Sequence, residues 1–346
     1  MPSVFISVII PIHNVASTVA ECLTSAATQL PDDCEIVCVD DGSTDDSMKR
    51  VEQVRQAFPD AAARIRVVHQ ENQGLSVARN TGIALASADF IGLLDSDDVL
   101  RPGYFAHIRD IVDSKPDVEI ICFNADRFGV GKDGEVVRQP LHVHPGAADF
   151  FPSRPQDFDT IAINFARCRW FSWARVYARR LFSLRGFSPG LKYQDMELLP
   201  ELYLHARRVV NIDARLVDYR IHEASVTSRP NQSTLENLDV IIDYYSHTLA
   251  DVSPKLNELR HFVVVSALES AFHAGKRMAG ISGGRQAFRS RQREIGRSVL
   301  ARFMGRHLDK YSSDSVILQL SPVLFLAVGR LRRFRREKRR AACSAG

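Results

Sequence analysis

The first hundred residues alternate between apolar, β-branched segments and helix-like segments. The apolar segments have the length of strands, and they read FISVIIPI from residue 5, EIVCVD from residue 35, IRVVH from residue 65 and FIGLL from residue 90. The segments between them have helical apolar spacing and polar residues suited to a first turn. This alternation predicts an α/β fold, with helices on both faces of a mostly parallel sheet.

Polar residues follow each of the four apolar segments. Ligands of parallel α/β sheets bind at the carboxyl ends of the strands, so these polar residues are expected to meet at one edge. They are His13, Asn14, Asp40, Asp41, Asn72, Gly74, Asp95 and Asp97.

Three carboxylates follow the fourth apolar segment within four residues: Asp95, Asp97 and Asp98. Like charges repel, so such a cluster needs water or a cation among its members, and an all-oxygen set favours Mg²⁺ or Mn²⁺ over Zn²⁺. A hard divalent ion held in this way usually also binds substrate phosphates. The alternative is a solvated turn that starts the next helix, with Asp97 or Asp98 as its N-cap and Pro102 in its first turn.

Six segments resemble the inverting family 2 glycosyltransferases, and they occur in that family's order between about residues 4 and 228. They are SVIIPIHN at 7, VDDGSTDDS at 39, NQGLSVARNTGIALASADFIGLLDSDD at 72, WARVYARRLF at 173, YQDMEL at 193 and YRIHEASVTS at 219. The resemblance implies a GT-A, nucleotide-diphospho-sugar transferase fold. It also implies transfer of a sugar, with inversion, from a nucleotide-diphosphate sugar to an acceptor hydroxyl. The acceptor is expected to be a lipid-linked or cell-surface glycan precursor.

The resemblance assigns several residues to the sugar nucleotide. Asp41 is implied to accept hydrogen bonds from the base, which suits the N–H groups of uracil or guanine, and a UDP-sugar is favoured. Asp40 is implied to share this role, and Pro11 to lie beside the donor. An alternative for the aspartate pair is an Asx-type turn capping the helix that begins near Thr44. Arg79 is implied to brace the acidic site or to meet a phosphate, and its alternative is an ordinary salt bridge.

The catalytic assignments also come from the resemblance. Asp97 is implied to contact the divalent ion, with Asp95 as its partner or as a ligand of the ribose or of metal-bound water. The general base is implied to be Asp195, although Gln194 replaces the glutamate that precedes the family's base. Glu197 is the second candidate for the base. The alternative for Asp195 is that it only caps the helix that follows.

Two further segments resemble donor-site elements of the family. Arg175 stands in place of the family's lysine and is implied to meet the diphosphate, with altered geometry because a guanidinium binds phosphate bidentately. Trp173 and Tyr177 are expected to be packing residues. His222 is implied to approach the donor phosphates, although a lone histidine is more often structural. The HVH triplet at 142–144 has metal-like spacing but no evident partner, so it is left unassigned.

The remainder of the chain suggests three regions. We expect a catalytic domain at 1–228, a helical appendage at 229–310 and a basic amphipathic segment at 311–346. Within the appendage, two helical stretches are expected at about 255–279 and 285–306, after a first one that begins near residue 234.

The positive charge of the chain is local. Between Arg330 and Arg340 there are eight basic residues and one acid, and the rest of the chain is net −3. The apolar run SPVLFLAV precedes this cluster, and it is far shorter than the roughly 20 residues that span a bilayer. A basic amphipathic end suits the surface of an anionic membrane. The alternatives are a disordered charged tail or a nucleic-acid patch, and no nucleic-acid partner is expected because basic and aromatic residues do not interleave elsewhere.

The six cysteines occur without a CxxC pair, and the first strand-like segment leaves no room for a leader. A cytoplasmic protein with reduced thiols is therefore expected, with peripheral contact to the inner face of the plasma membrane. A nicotinamide oxidoreductase is disfavoured because IPIHNVAS lacks the glycines that admit a pyrophosphate. The competing hypothesis is a non-catalytic GT-A module that serves as a binding partner in polysaccharide assembly.

Overall fold

The computed structural model describes residues 4–130, 135–221, 230–247 and 253–295. The chain divides into two compact units. The first comprises residues 1–161 and 168–228, and the second comprises 162–167 and 229–346.

Ten strands form one sheet in the described part of the first unit. They are β1 (Ile6–Ile12), β2 (Cys34–Asp41), β3 (Ile65–Gln70), β4 (Phe90–Leu93), β5 (Val99–Leu100), β6 (Ile120–Val130), β7 (Val136–Leu141), β8 (Ala148–Phe150), β9 (Arg175–Ala178) and β10 (Val209–Arg220). The described α-helices of the chain are α1 (Val19–Ala27), α2 (Ser47–Ala57), α3 (Pro59–Ala62), α4 (Leu75–Leu85), α5 (Tyr104–Ser114), α6 (Phe158–Arg167), α7 (Gln194–His205), α8 (Gln232–Ser246), α9 (Pro254–Asn257) and α10 (Arg260–Ile295).

The sheet order is β3-β2-β1-β4-β9-β6-β10-β5, with β7 paired to β6 and β8 paired to β10. The pairs β1–β2, β2–β3 and β1–β4 are parallel, which confirms the alternation seen in the sequence. The ladder between β6 and β10 is also parallel, whereas β9 is antiparallel to both of its neighbours. The fold is thus α/β with a mostly parallel sheet, as predicted, and antiparallel strands enter after β4.

The central strands are covered on both faces. Every residue of β1 and β2 is buried, as expected for parallel strands with helices on either side. Helix α4 approaches β1 closely at Gly82, where an added Cβ would lie 2.3 Å from Cγ2 of Ile9. A side chain at residue 82 would therefore push the helix away from the sheet.

The register brings the strand ends to one edge. Ile12 lies opposite Asp40, and Asp41 lies opposite Gln70. The amide of Leu94, just after β4, donates to the carbonyl of Ile9 at 3.0 Å. The polar residues that follow β1, β2, β3 and β4 are therefore gathered at the same edge.

The described part of the second unit is helical. Helix α8 begins with a capping box between Asn231 and Thr234, and α10 has non-helical backbone at Ala279 and Gly280. The two halves of α10 touch at their backbones, because a Cβ on Gly275 would lie 2.6 Å from the carbonyl oxygen of Gly283. Within the described ranges, no helix combines the length and the apolar character needed to cross a bilayer.

Candidate active site

Arg79 joins two acidic segments that are far apart in sequence. It projects from α4, is 2% exposed, and donates from Nη2 to Oδ1 of Asp95 at 2.6 Å and from Nη1 to Oδ1 of Asp195 at 3.0 Å. Burial opposes its charge, but the carboxylates of Asp95 and Asp195 outweigh burial and raise the pKa of Arg79. The guanidinium also lies 5.3 Å from the ring centroid of Phe187. Arg79 is therefore placed to brace the acidic site.

Asp195 is partly accessible and held in one orientation. Its side chain is 21% exposed, and its Oδ2 accepts a hydrogen bond from the backbone N–H of Ser172 at 3.1 Å. It lies at the second position of α7, and its side chain makes none of the hydrogen bonds that cap this helix. Burial raises the pKa of Asp195, Arg79 lowers it, and the charge of Asp95 raises it further. A carboxylate with a raised pKa at an accessible position can accept a proton.

The residues after β4 do not begin a helix. Val99 and Leu100 form β5, and α5 starts only at Tyr104, with Gly103 as its N-cap residue. This excludes the alternative in which Asp97 or Asp98 caps that helix.

Arg220, the last residue of β10, holds the acidic turn. Its N–H donates to Oδ1 of Asp98 at 2.8 Å, and its Nε donates to the carbonyl of Asp97 at 2.7 Å. Nη2 of the same guanidinium is ion-paired with Oε2 of Glu21 at 2.5 Å. The turn that carries Asp97 is therefore fixed by the carboxyl-terminal end of β10.

The acidic turn fits a divalent cation. Asp98 is buried, and among the described residues its Oδ2 has no hydrogen-bond partner. Burial, followed by the charges of Asp95 and Asp97, raises its pKa well above the usual range. A cation beside these carboxylates would offset both the burial of a charge on Asp98 and its repulsion by Asp95 and Asp97.

The protein alone does not form a cage for that cation. Within the described ranges, no group of three Cys, His, Asp or Glu side chains converges as a metal site. Mg²⁺ commonly binds through one or two carboxylates together with substrate phosphates. Asp95 and Asp97 could therefore hold such an ion only together with ligands that the substrate supplies.

Asp40 and Asp41 are the last two residues of β2, and each accepts hydrogen bonds from neighbouring segments. Asp40 accepts from the N–H of Ser43 at 2.9 Å and lies 2.9 Å from Nδ1 of His69. The helix-capping turn considered for this pair is not formed, because α2 begins only at Ser47, after Asp46. Asp41 accepts from the N–H groups of Gln73 and Gly74 at 2.9 and 2.8 Å.

A further bond to Asp41 comes from the side chain of Gln70, at 2.7 Å. A carboxylate has about four acceptor positions, so these bonds occupy three of the positions of Asp41, which is 3% exposed. Pro11 is buried in β1 opposite Val39, beneath this edge.

Gln194 and Glu197 have separate internal partners. Oε1 of Gln194 accepts a hydrogen bond from the hydroxyl of Ser76. Glu197 is 2% exposed and is ion-paired with Arg185. Glu197 is therefore poorly placed to act as a base, in contrast to the accessible Asp195.

The structure corrects the expectation for Arg175. Its side chain is fully buried, and it donates to the hydroxyl of Tyr203 at 2.8 Å and to the carbonyls of Arg169 and Phe171. A diphosphate cannot reach a guanidinium that has no exposed surface. Arg175 instead satisfies buried acceptors in the core.

Trp173 and Tyr177 are buried packing residues, as predicted. His144 of the HVH triplet directs both ring nitrogens to carbonyl oxygens, of Gly146 and Ile212, so it is occupied structurally. His222 and the basic segment at 330–340 lie outside the described residues, and their roles stay predictions.

Two residues that hold the site were not foreseen. Ser172 acts through its backbone N–H, which no sequence motif reveals. Arg220 stands in the segment YRIHEASVTS, for which the family resemblance implies a role only for His222. A basic residue at the end of a strand was the only available signal.

Comparison with known proteins gives the family that the chain resembles. Residues 7–173, just under half of the chain, match the model of Glycosyl transferase family 2. The chain is thus similar to glycosyl transferase family 2. It is 28% identical over 239 residues to the putative glycosyltransferase EpsH of Bacillus subtilis, a match covering 67% of the chain and 65% of EpsH. It is 28% identical to the uncharacterized glycosyltransferase EpsJ of the same organism, with 70% of each covered.

Solved structures show that the chain has a GT-A fold. A crystal structure of S. aureus TarS residues 1–349 with UDP-GlcNAc gives a TM-score of 0.62 at 18% identity, covering 89% of each chain. A mannosyltransferase from Pyrobaculum calidifontis with GDP-Man and Mn²⁺ gives 0.56 at 15% identity, covering 94% of this chain and 85% of the other.

Proposed function

We propose that this chain is an inverting glycosyltransferase that moves a sugar from a nucleotide-diphosphate sugar to an acceptor hydroxyl. The observation that carries the proposal is the bridge through Arg79, which holds Asp195 and Asp95 at one site. This bridge supports a role for Asp195 in proton transfer and for Asp95 in binding the donor.

Asp195 is the proposed base. Its Oδ1 is bound by Arg79 and its Oδ2 by Ser172, so the carboxylate has a fixed direction while a fifth of the side chain stays accessible. An acceptor hydroxyl beside it would lose its proton to Asp195 as its oxygen attacks the anomeric carbon. The bond from that carbon to the diphosphate breaks in the same step, which inverts the configuration.

Asp97 and Asp95 are the proposed ligands of Mg²⁺ or Mn²⁺. When bound, such an ion supplies charge stabilisation for the departing nucleoside diphosphate. Arg220 positions the turn that presents Asp97, and Arg79 orients Asp95.

Asp41, with Asp40 and Pro11, is the proposed surface for the nucleotide. The remaining acceptor position of Asp41 is proposed to bind an N–H of the base, which both uracil and guanine provide. The sugar nucleotides bound by the two solved relatives, UDP-GlcNAc and GDP-Man, have these bases. We favour a UDP-sugar, and we propose that His222 approaches its phosphates.

The proposed acceptor is a glycan or a lipid-linked glycan precursor at the inner face of the plasma membrane. Supporting this are relatives described as a chondroitin synthase of Escherichia coli, 30% identical over 132 residues, and a succinoglycan biosynthesis protein of Rhizobium meliloti, 41% identical over 99 residues. The basic cluster at 330–340 supports contact with an anionic membrane.

The test uses the full-length protein with UDP-, GDP- and dTDP-sugars and Mn²⁺. We expect release of the nucleoside diphosphate from one class of donor, and proton NMR of the product should show an inverted anomeric centre. The control is Asp213→Asn, a change at an exposed residue of β10. Failure to release nucleoside diphosphate from any donor would favour the non-catalytic binding partner, and a retained configuration would exclude single displacement.

A further inference from the structure

Three aromatic rings are stacked beside the acidic site. The ring centroids of Phe171 and Trp173 are 5.2 Å apart at an interplanar angle of 10°, and those of Trp173 and Tyr219 have the same separation and angle. Phe171 and Tyr219 are 6.2 Å apart at 20°. All three rings are therefore nearly parallel.

These distances place Phe171 and Tyr219 on the same face of Trp173. Carbon atoms in contact lie about 3.5 to 4.0 Å apart, so rings on opposite faces of an indole would be separated by roughly 7 Å or more. The observed 6.2 Å is shorter than that. The two rings must lie side by side, and their other faces point in a common direction, away from Trp173.

Phe171 and Tyr219 are more exposed than Trp173, the ring on which they stack. Trp173 is 3% exposed, whereas Phe171 and Tyr219 are only partly buried against the core. The pair, which we name the aromatic floor, is thus a flat apolar surface two rings wide, backed by a buried indole.

The backbone joins the aromatic floor to both acidic segments. Phe171 directly precedes Ser172, whose N–H binds Asp195, and Tyr219 directly precedes Arg220, whose N–H binds Asp98. Successive Cα atoms are about 3.8 Å apart, so the backbones of Phe171 and Tyr219 lie one residue away from these two contacts. A ligand on it would be beside the proposed base.

We propose that the aromatic floor is the acceptor subsite and that it binds a pyranose ring through its C–H face. This inference rests on the proposed function, and it narrows the acceptor to a pyranoside. A pyranose has an apolar face of C–H groups and hydroxyls at its rim, which suits a binding site of aromatic rings with one polar group at the edge. The rim hydroxyl faces Asp195, while an acyclic polyol offers no such face.

The experiment measures nucleoside diphosphate release by the full-length protein with its sugar-nucleotide donor. The acceptors are nitrophenyl β-D-glucopyranoside, the corresponding galactoside and N-acetylglucosaminide, and ribitol as an acyclic polyol. We expect at least one pyranoside to accelerate release above hydrolysis, and ribitol to have no effect.

Phe171→Ala and Tyr219→Ala should each raise the KM for the pyranoside about tenfold, which corresponds to roughly 1.4 kcal/mol. The KM for the donor should change less than twofold. Phe171→Leu keeps apolar volume without a flat face and should behave as Phe171→Ala, whereas Tyr219→Phe should restore the parent KM.

Phe151→Ala is the matched control. Phe151 is a partly exposed ring next to β8, which pairs with the first residues of β10, whereas Tyr219 lies at the other end of that strand. The control should keep both KM values.

An unchanged pyranoside KM in the alanine variants would overturn the inference, as would acceleration by ribitol alone or by no acceptor. The inference would also be overturned if the KM for the donor rose as much as the KM for the pyranoside. In each case hydrolysis of the donor by the parent would leave the proposed function standing, and only the absence of release from every donor would remove both.

Discussion

The hydroxyl of Ser76 donates a hydrogen bond to Oε1 of Gln194, and both side chains are buried. Ser76 lies in the first turn of α4, and Gln194 is the first residue of α7. The bond therefore joins the two helices that Arg79 also joins through Asp195. A neutral amide at residue 194 makes this connection without adding a second charge beside the proposed base.

Gln194→Glu should move the acid limb of activity to higher pH. Asp195 must be ionised to accept a proton, and burial already raises its pKa. A second carboxylate would raise that pKa further, so the protonated, inactive form would persist to higher pH. The measurement is kcat/KM against pH, with Gln53→Glu on the exposed face of α2 as the control. An acid limb that stays at the same pH, or that moves to lower pH, would show that a carboxylate at residue 194 does not raise the pKa of Asp195.

Asp195→Asn should lower the transfer rate by about 10² to 10⁴ while leaving donor affinity within a few fold. Asparagine has nearly the same size, and its Oδ1 can accept the bond from Arg79. Its NH₂ group cannot accept the bond from the N–H of Ser172, and the side chain cannot take a proton. The measurement combines steady-state rates with calorimetry of donor binding, and Asp213→Asn serves as the control. Near-parental turnover would assign the base to another group.

Asp97→Ala should abolish the metal dependence of donor binding. The carboxylate that presents the cation to the phosphates would be lost, while the turn would remain fixed by Arg220 through the backbone carbonyl. Calorimetry with Mn²⁺ and with a chelator gives the comparison. Asp89→Ala, an exposed aspartate just before β4, is the control. If the Mn²⁺ dependence of the variant equals that of the parent, Asp97 is not a ligand.

Gly82→Ala should destabilise the fold by about 1 to 3 kcal/mol, as overpacking typically does. The added methyl group would lie 2.3 Å from Cγ2 of Ile9 and 3.2 Å from Cγ2 of Val39, so α4 must shift away from the sheet. Urea unfolding measures the change. Leu85→Ala, at a partly exposed position of the same helix, should have a smaller effect, and equal effects would argue against the close contact.

Deletion of residues 330–346 should release the protein from anionic vesicles and leave turnover of a soluble acceptor nearly intact. Each basic group near an anionic surface contributes about 1 kcal/mol, and the deletion removes the cluster of eight. Sedimentation with phosphatidylserine vesicles measures binding. Equal sedimentation of the two proteins would locate membrane contact elsewhere or exclude it.

The first four strands and the meeting of their polar ends could be predicted because both depend on local patterns. Apolar runs fix the strands, and parallel pairing fixes which ends meet. Ile12 pairs with Asp40, so the ends of β1 and β2 lie at the same edge, as expected. Apolar spacing also predicted helices in the second unit, but the break in α10 lies at Ala279 and Gly280, earlier than the expected start at 285, and residues 296–306 lie outside the described residues.

The partners of Arg175 could not be predicted in this way. A cation in a basic, aromatic segment is equally compatible with a phosphate and with buried carbonyl groups. Its contact with Tyr203, 28 residues away, depends on how α7 packs against β9. Arg220 likewise reaches Asp97 and Asp98 only because β10 ends beside a turn more than 120 residues earlier.

The bridge through Arg79 has a consequence for how the protein is made. The acidic turn and the arginine are synthesised within the first hundred residues, but Asp195 emerges from the ribosome almost a hundred residues later. A nascent chain therefore carries the residues of the proposed nucleotide-binding edge before it carries the proposed base. If Asp195 is the base, transfer requires the packing of α7 against α4 that Arg79 and Ser76 make.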